Sequence, residues 1–363
     1  MRMTPRVKIA FILGTRPEII KLSCLIQECV KEKNKFVLIH TNQHYSENMD
    51  KIFFSELGLP NPQFNLKIGS SSQISQIARM MCAIEKVLII EKPDVVVVQG
   101  DTNTVLAGAL VASRLNIKVA HVEAGLRSYD RSMPEEENRL ITDHVADFLF
   151  CPTKKQQSIL HKEGISSRNV YVTGNTIVDA VLRYAKIAKN KSSILKRYNL
   201  SPNKYFLLTC HRPSNTDNLD NFREILKGVS IVAQQEEVQC IFPVHPRNND
   251  KLDLIKTYKN IMAIEPIGYL DMLQLQQNSK MIFTDSGGIQ EEACILKKKC
   301  VILRTNTERP ETLAVRGAKL LNKIDSEEIV DTYNLLLKRT VHWKNPFGDG
   351  RASNRIIKLL SRP

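Results

Sequence analysis

The sequence predicts an α/β fold: two similar, Rossmann-like domains facing a central cleft, each a parallel sheet with helices on both faces. Strand-like apolar runs alternate with helix-like stretches from end to end, the order that parallel sheets with crossover helices produce. One run, Val95 to Val98, is an unbroken β-branched apolar segment, as a strand buried on both faces requires. A length of 363 residues also exceeds what a single hydrophobic core serves, so the chain divides in two.

In the first half the strand-like runs are Val7–Leu13, Phe36–His40, Val95–Val98, Ile117–Val122, Phe148–Cys151 and Val170–Val172. In the second they are Tyr205–Thr209, Cys240–Val244, Ile261–Glu265, Met281–Thr284 and Val301–Leu303. The halves part near Gly174-Asn175, which gives domains of 1–175 and 176–353. A long helix-like stretch, Thr176 to Leu195, opens the second. The segment 354–363 follows the Gly348-Asp349-Gly350 turn and is expected to pack back onto the first domain.

Composition excludes several classes. With 42% hydrophobic residues and only 15 Gly and 15 Pro, the chain reads as ordered throughout. No apolar run approaches the roughly 18 residues of a spanning helix, and Met1 to Arg6 leads straight into a strand, so no membrane partner is expected. The 8 cysteines contain no C-x-x-C pair and sit mostly in apolar segments. They fit small buried hydrophobes in a reducing cytoplasm. The formal charge of +14 is scattered, without a helix-turn-helix, zinc finger or aromatic-basic platform, so nucleic acid is not expected. His40 and His44 straddle a strand end and no Asp-x-Asp occurs, so no metal site is expected either.

The residues able to carry chemistry gather at strand ends. One predicted strand ends at Gly100-Asp101, Thr102 to Arg114 reads as a helix, and the next strand ends at Glu123. A right-handed crossover brings both carboxylates to one sheet edge, where open α/β sheets bind ligands. Glu135, Glu136 and Glu137 follow within a loop's reach, and carboxylates sharing a cleft point to proton transfer. The first strand ends at Gly14-Thr15-Arg16-Pro17-Glu18, where Thr15 can cap a helix, Pro17 suits its first turn and Arg16 is set for a phosphate. Asp285-Ser286-Gly287-Gly288 opens a helix whose N–H groups can cradle a pyrophosphate, with Glu292 one turn on for ribose hydroxyls. The plain alternative is that the paired glycines serve tight packing. His211-Arg212 and His245-Pro246-Arg247 also follow strands. No G-x-G-x-x-G occurs, so no nicotinamide fingerprint is present.

Gly14-Thr-Arg-Pro-Glu, Gln99-Gly-Asp-Thr, His121-Val-Glu-Ala-Gly-Leu-Arg, Pro134-Glu-Glu-x-Asn-Arg, Val172-x-Gly-Asn-Thr, His211-Arg and Asp285-Ser-Gly-Gly-x-Gln-Glu-Glu stand in one order along the chain. In this series it closely resembles the non-hydrolysing UDP-N-acetylglucosamine 2-epimerases. The resemblance implies the glycosyltransferase-B fold, a homodimer and a UDP-sugar substrate. It implies that Asp101, Glu123, Glu135 and His211 surround the sugar as catalytic groups. Arg16, Ser286, Gly287, Gly288 and Glu292 would hold the UDP by the same implication. Lys21, Arg212, His245, Tyr269 and Arg309 complete the expected substrate-binding set.

The chemistry agrees with those residues. The C2 hydrogen of a 2-acetamido sugar has no neighbouring carbonyl, so direct deprotonation fails. Transient oxidation needs a nicotinamide, and no cofactor is expected here. Expelling UDP from C1 while a carboxylate takes the C2 proton gives 2-acetamidoglucal, to which UDP adds back with protonation on the other face. Two departures bear on substrate and regulation. Pro213-Ser214-Asn215 stands where many members have Arg-Glu-Asn, and Gln43-His44-Tyr45 where substrate-activated members have Gln-His-Arg. The second departure predicts no strong activation by substrate, unless Arg79 or Arg127 takes the arginine's place. Alternatives are an epimerase of a related UDP-2-acetamido sugar (6-deoxy or uronic), a hydrolysing epimerase, a glycosyltransferase, or a nucleotide-sugar sensor without turnover.

Overall fold

The computed structural model describes residues 7–43 and 53–361. The chain divides into two compact units, Met1–Ala180 with Phe347–Pro363, and Val181–Pro346.

In the first unit a seven-stranded sheet runs β3-β2-β1-β4-β5-β6-β7. Its strands are β1 (Lys8–Leu13), β2 (Lys35–His40), β3 (Phe64–Asn65), β4 (Val95–Gln99), β5 (Lys118–Val122), β6 (Phe148–Cys151) and β7 (Val170–Val172). Every pairing is parallel. The helices are α1 (Arg16–Lys31), α2 (Gln73–Glu91), α3 (Asn103–Arg114), α4 (Pro134–Val145), α5 (Lys154–Lys162) and α6 (Thr176–Lys191). The division between the units falls inside α6 rather than at Gly174-Asn175. Helix α6 is also shorter than the predicted Thr176–Leu195 stretch, since it stops before Ser192-Ser193.

The second unit carries a six-stranded parallel sheet, β10-β9-β8-β11-β12-β13. Its strands are β8 (Tyr205–Thr209), β9 (Gln239–Pro243), β10 (Ile261–Ile264), β11 (Ile282–Thr284), β12 (Cys300–Ile302) and β13 (Ala318–Leu320). Its helices are α7 (Ile194–Arg197), α8 (Pro213–Thr216), α9 (Leu219–Gln235), α10 (Leu252–Lys256), α11 (Tyr269–Asn278), α12 (Gly287–Ile295), α13 (Pro310–Ala314) and α14 (Ser326–Leu337). Successive strand residues feed opposite cores: Phe206 and Leu208 join one apolar cluster, Tyr205 and Leu207 the other. That two-sided burial is why the strands read as continuous apolar runs.

The last helix, α15 (Ala352–Leu360), belongs to the first unit, where the Asp179 carboxylate accepts from the Ser353 and Ala352 N–H groups at 2.8 and 3.2 Å.

The order of each sheet reverses once, between β1 and β4 in the first unit and between β8 and β11 in the second. At such a point neighbouring crossovers leave on opposite faces, and the strand ends open a crevice. Gly14-Thr15 and Gly100-Asp101 follow β1 and β4; Cys210-His211 and Asp285-Ser286 follow β8 and β11.

Glu135, Glu136 and Glu137 lie in the first turn of α4, because Pro134 starts the helix and carboxylates there meet its positive end. Two expectations need correcting. Strands β3 (Phe-Asn) and β13 (Ala-Lys-Leu) are not predicted, because a polar residue in each leaves no continuous apolar run. Among the cysteines Cys82 is exposed and the others are buried.

Candidate functional site

At the first switch point the β1–α1 turn is tight. A Cβ at Gly14 would lie 2.2 Å from both Thr41 Oγ1 and Thr104 Oγ1, so only glycine fits. Glu18 is buried and accepts from Gly14 N, Thr15 N, Thr15 Oγ1 and Thr102 Oγ1 at 2.8, 2.7, 2.9 and 2.7 Å. Burial pushes its carboxyl up to about 7, against the pull of those hydrogen bonds. Arg16, half-buried, places its guanidinium 5.2 Å from the centre of the Phe53 ring.

Asp101 and Glu123 leave neighbouring strands, with Gln99 opposite Val122 and Gly100 N donating to Val122 O at 3.1 Å. Their surroundings differ. Glu123 is 4% exposed, and its two carboxylate oxygens accept from the Lys21 ammonium at 2.6 and 2.8 Å. Gln99 Nε2 donates to the same carboxylate, as does Asn175 Nδ2 at 3.3 Å. The Glu123 backbone sits in the left-handed region, φ +74°. A non-glycine residue persists there only when its surroundings fix it. Asp143 does part of that fixing: it accepts from Gly125 N at 3.1 Å, His121 Nδ1 at 2.7 Å and Arg127 at 2.7 Å. Although burial opposes it, His121 and Arg127 hold the Asp143 carboxyl below its usual range. Arg127 is thereby buried between Asp143 and Glu163, and so is unavailable as a surface clamp. The Asp101 side chain, by contrast, is 32% exposed and meets Arg139. Glu135 and Glu137 are exposed, while Glu136 is buried against Arg139. His44 and Tyr45 lie outside the described residues.

At the second switch point Asp285, fully buried, organises the edge. It accepts from His211 N at 3.0 Å, Arg212 N at 2.9 Å, Asn215 Nδ2 at 3.2 Å and His211 Nδ1 at 3.0 Å. Burial opposes its charge, but these donors hold it below the usual carboxylate range. The His211 ring, 41% exposed, lies 5.6 Å from that of His245, whose Nδ1 accepts from Arg247 N at 3.2 Å. Arg212 Nε donates to Asp285 O at 3.1 Å and its guanidinium lies 3.8 Å from Glu308.

Ser286 caps α12, its Oγ accepting from Ile289 N at 3.4 Å. A Cβ at Gly287 or Gly288 would meet nothing closer than 3.9 and 3.8 Å, and neither has a positive φ. Packing therefore does not require these glycines. Glu292 is buried and accepts from Gln276 Nε2 at 2.6 Å, and Arg309 Nε donates to Glu291 at 2.7 Å. Tyr269, also buried, stands edge-on to Tyr184 at 6.1 Å. Among the described residues no group of three or more His, Cys, Asp or Glu is placed to hold a metal, and no helix is long and apolar enough to cross a membrane.

Sequence reasoning missed Glu18, Asp143, Asp285 and Arg139 as organisers. Each sits inside or beside a motif already singled out, but a buried partner is visible only once the strand order is known.

Known proteins decide the family. Residues 27–361 match the family model described as UDP-N-acetylglucosamine 2-epimerase. The chain belongs to the UDP-N-acetylglucosamine 2-epimerase family. It is 52% identical to the UDP-N-acetylglucosamine 2-epimerase of Methanocaldococcus jannaschii, over 98% of this chain and 99% of that one. A crystal structure of the epimerase from that organism, in complex with UDP-GlcNAc and UDP, superposes with a TM-score of 0.89 at 51% identity, covering 97% and 99% of the two chains. A UDP-2,3-diacetamido-2,3-dideoxy-D-glucuronate 2-epimerase from Pseudomonas aeruginosa is 36% identical over 98% of this chain and 100% of its own. Two Rossmann-like parallel sheets on the glycosyltransferase-B pattern thus make up an epimerase, an isomerase by reaction class.

Proposed function

We propose that the chain interconverts UDP-N-acetylglucosamine and UDP-N-acetylmannosamine by elimination and re-addition of UDP. The full-length 52% identity to an epimerase of that name carries the reading. In the forward step a carboxylate takes the C2 proton and the C1–O bond to UDP breaks, with the electron pair leaving on the diphosphate. UDP then re-adds at C1 while an acid protonates C2 from the other face. Asp101, Glu123 and Glu135 carry the proton transfers, and His211 is the fourth catalytic group. Arg16, Lys21, Arg212, His245, Tyr269, Ser286, Gly287, Gly288, Glu292 and Arg309 bind the substrate. Three observations support this assignment: Asp101 and Glu123 leave the adjacent strands β4 and β5 beside a switch point, Lys21 pins the Glu123 carboxylate, and Gly287 and Gly288 leave open backbone that their own packing does not explain. The enzyme works in the cytoplasm, which suits eight unpaired cysteines, and as a homodimer.

The test is incubation of UDP-N-acetylglucosamine in deuterated water. Deuterium at C2 of an intact UDP-sugar is expected; UDP with unlabelled free sugar, or no exchange, would count against it. The 36% identity to a diacetamido-glucuronate epimerase favours one second reading, a uronic substrate, so that UDP-sugar is run in parallel.

A further inference from the structure

The Pro134-Glu-Glu-x-Asn-Arg segment contains more polar residues than proton transfer uses. Glu135 is exposed on the first turn of α4, whereas Glu136, Asn138 and Arg139 are only 2%, 5% and 4% exposed. Polar groups buried side by side need partners, and each has them. Glu136 accepts from Ser128 N and Tyr129 N at 2.9 Å, and from Arg139 Nε and Nη2 at 2.9 and 2.7 Å. Asn138 Nδ2 donates to the Asp101 carbonyl at 2.9 Å, and Arg139 Nη1 donates to the Asp101 carboxylate. One helix therefore grips Asp101 by main chain and side chain together, and the same helix presents Glu135.

We infer that Arg139 is a positioning residue that fixes the Asp101 carboxylate relative to Glu135, with Glu136 as its anchor. The inference rests on the reading of Asp101 as a proton-transfer group. Asp101 is part-exposed at a strand end, where a carboxylate without a fixed partner would rotate among several rotamers. A guanidinium is planar, so two of its N–H groups locked onto Glu136 fix the direction of the third. A lysine ammonium is a point charge and cannot hold two carboxylates in one plane. Misplacing a reacting group by ~1 Å costs about 100-fold in rate.

The experiment uses the full chain, with turnover read as deuterium incorporation at C2 and UDP affinity read by calorimetry. Arg139→Lys is expected to lower turnover about 100-fold while KM and UDP affinity stay within about threefold. Glu136→Gln, which keeps the shape but loosens the anchor, should cost about tenfold, and carries the same comparison where Arg139→Lys does not fold. The decisive arm is non-additivity: added to Asp101→Asn, either change should cost nothing further. Additive losses, or turnover within about twofold of the parent in both single variants, overturn the positioning role alone. Full activity in Asp101→Asn instead overturns the reading of Asp101, and the inference with it.

Discussion

Gly287 and Gly288 show how a single residue type reads differently once its surroundings are known. From sequence they read as a phosphate cradle, with a packing turn as the plain alternative. The open space above both, and their ordinary backbone, remove the packing account. Alanine at either position should then be harmless to the fold, and in a helix it gains ~0.5–1 kcal/mol over glycine. Gly288→Ala is accordingly expected to melt at or above the parent temperature while UDP affinity falls about tenfold, because the new methyl stands where the diphosphate would approach. Calorimetric titration beside a thermal melt checks both halves. An unchanged affinity would return these glycines to the ranks of ordinary helix starters. Gly14 is the opposite case. Its neighbours leave no room for a Cβ, and nothing in the bare Gly-Thr-Arg-Pro-Glu string tells the two kinds of glycine apart.

At the scale of elements, the strands were legible because burial on both faces leaves continuous apolar runs. Strand order was not, because the side on which each crossover returns is settled by packing, and with it went the buried partners at the edges. Helix α1 illustrates this. Thr15 and Glu18 look like an ordinary capping pair. In the fold Glu18 also reaches Thr102 at 2.7 Å, tying the β1 turn to the β4 turn. Burial raises its carboxyl from 4.5 to about 7, so the folded state holds that proton more tightly than the unfolded chain does. The sign follows: its stabilising share is full below the unfolded value and is lost as pH rises through about 7. Glu18→Gln keeps the shape and never ionises, and its amide can still accept the Gly14 and Thr15 N–H groups. Relative to the parent it should gain stability as pH rises from about 5 to about 8, by on the order of 3 kcal/mol at most. Urea unfolding at the two ends of that range measures the difference. A variant equally weakened at both would mean that α1 needs the charge itself.

At the scale of the whole molecule the exposed surface bears on association. Helix α2 packs Met80, Ile84, Val87 and Leu88 inward, yet Ile74, Ala78, Cys82 and Ile89 are exposed. Steps of four, four and seven residues keep those exposed side chains on one face. Ile74 is 79% exposed and Ile89 53%, and beside them Ile90 is 70% exposed. Exposed apolar side chains gathered on one helix face, with the exposed Glu85 among them, form a stripe of the kind that marks contact surfaces. A second copy of the chain is the partner that the proposed homodimer supplies, and a two-fold contact would set this face against itself. Charges introduced at its two ends would then oppose their counterparts across the axis. Ile74→Asp with Ile89→Asp is therefore expected to halve the mass seen by light scattering while each subunit keeps its fold by circular dichroism. If the doubly substituted chain still runs as a dimer, the interface lies elsewhere; if the parent is already a monomer, the stripe has another partner.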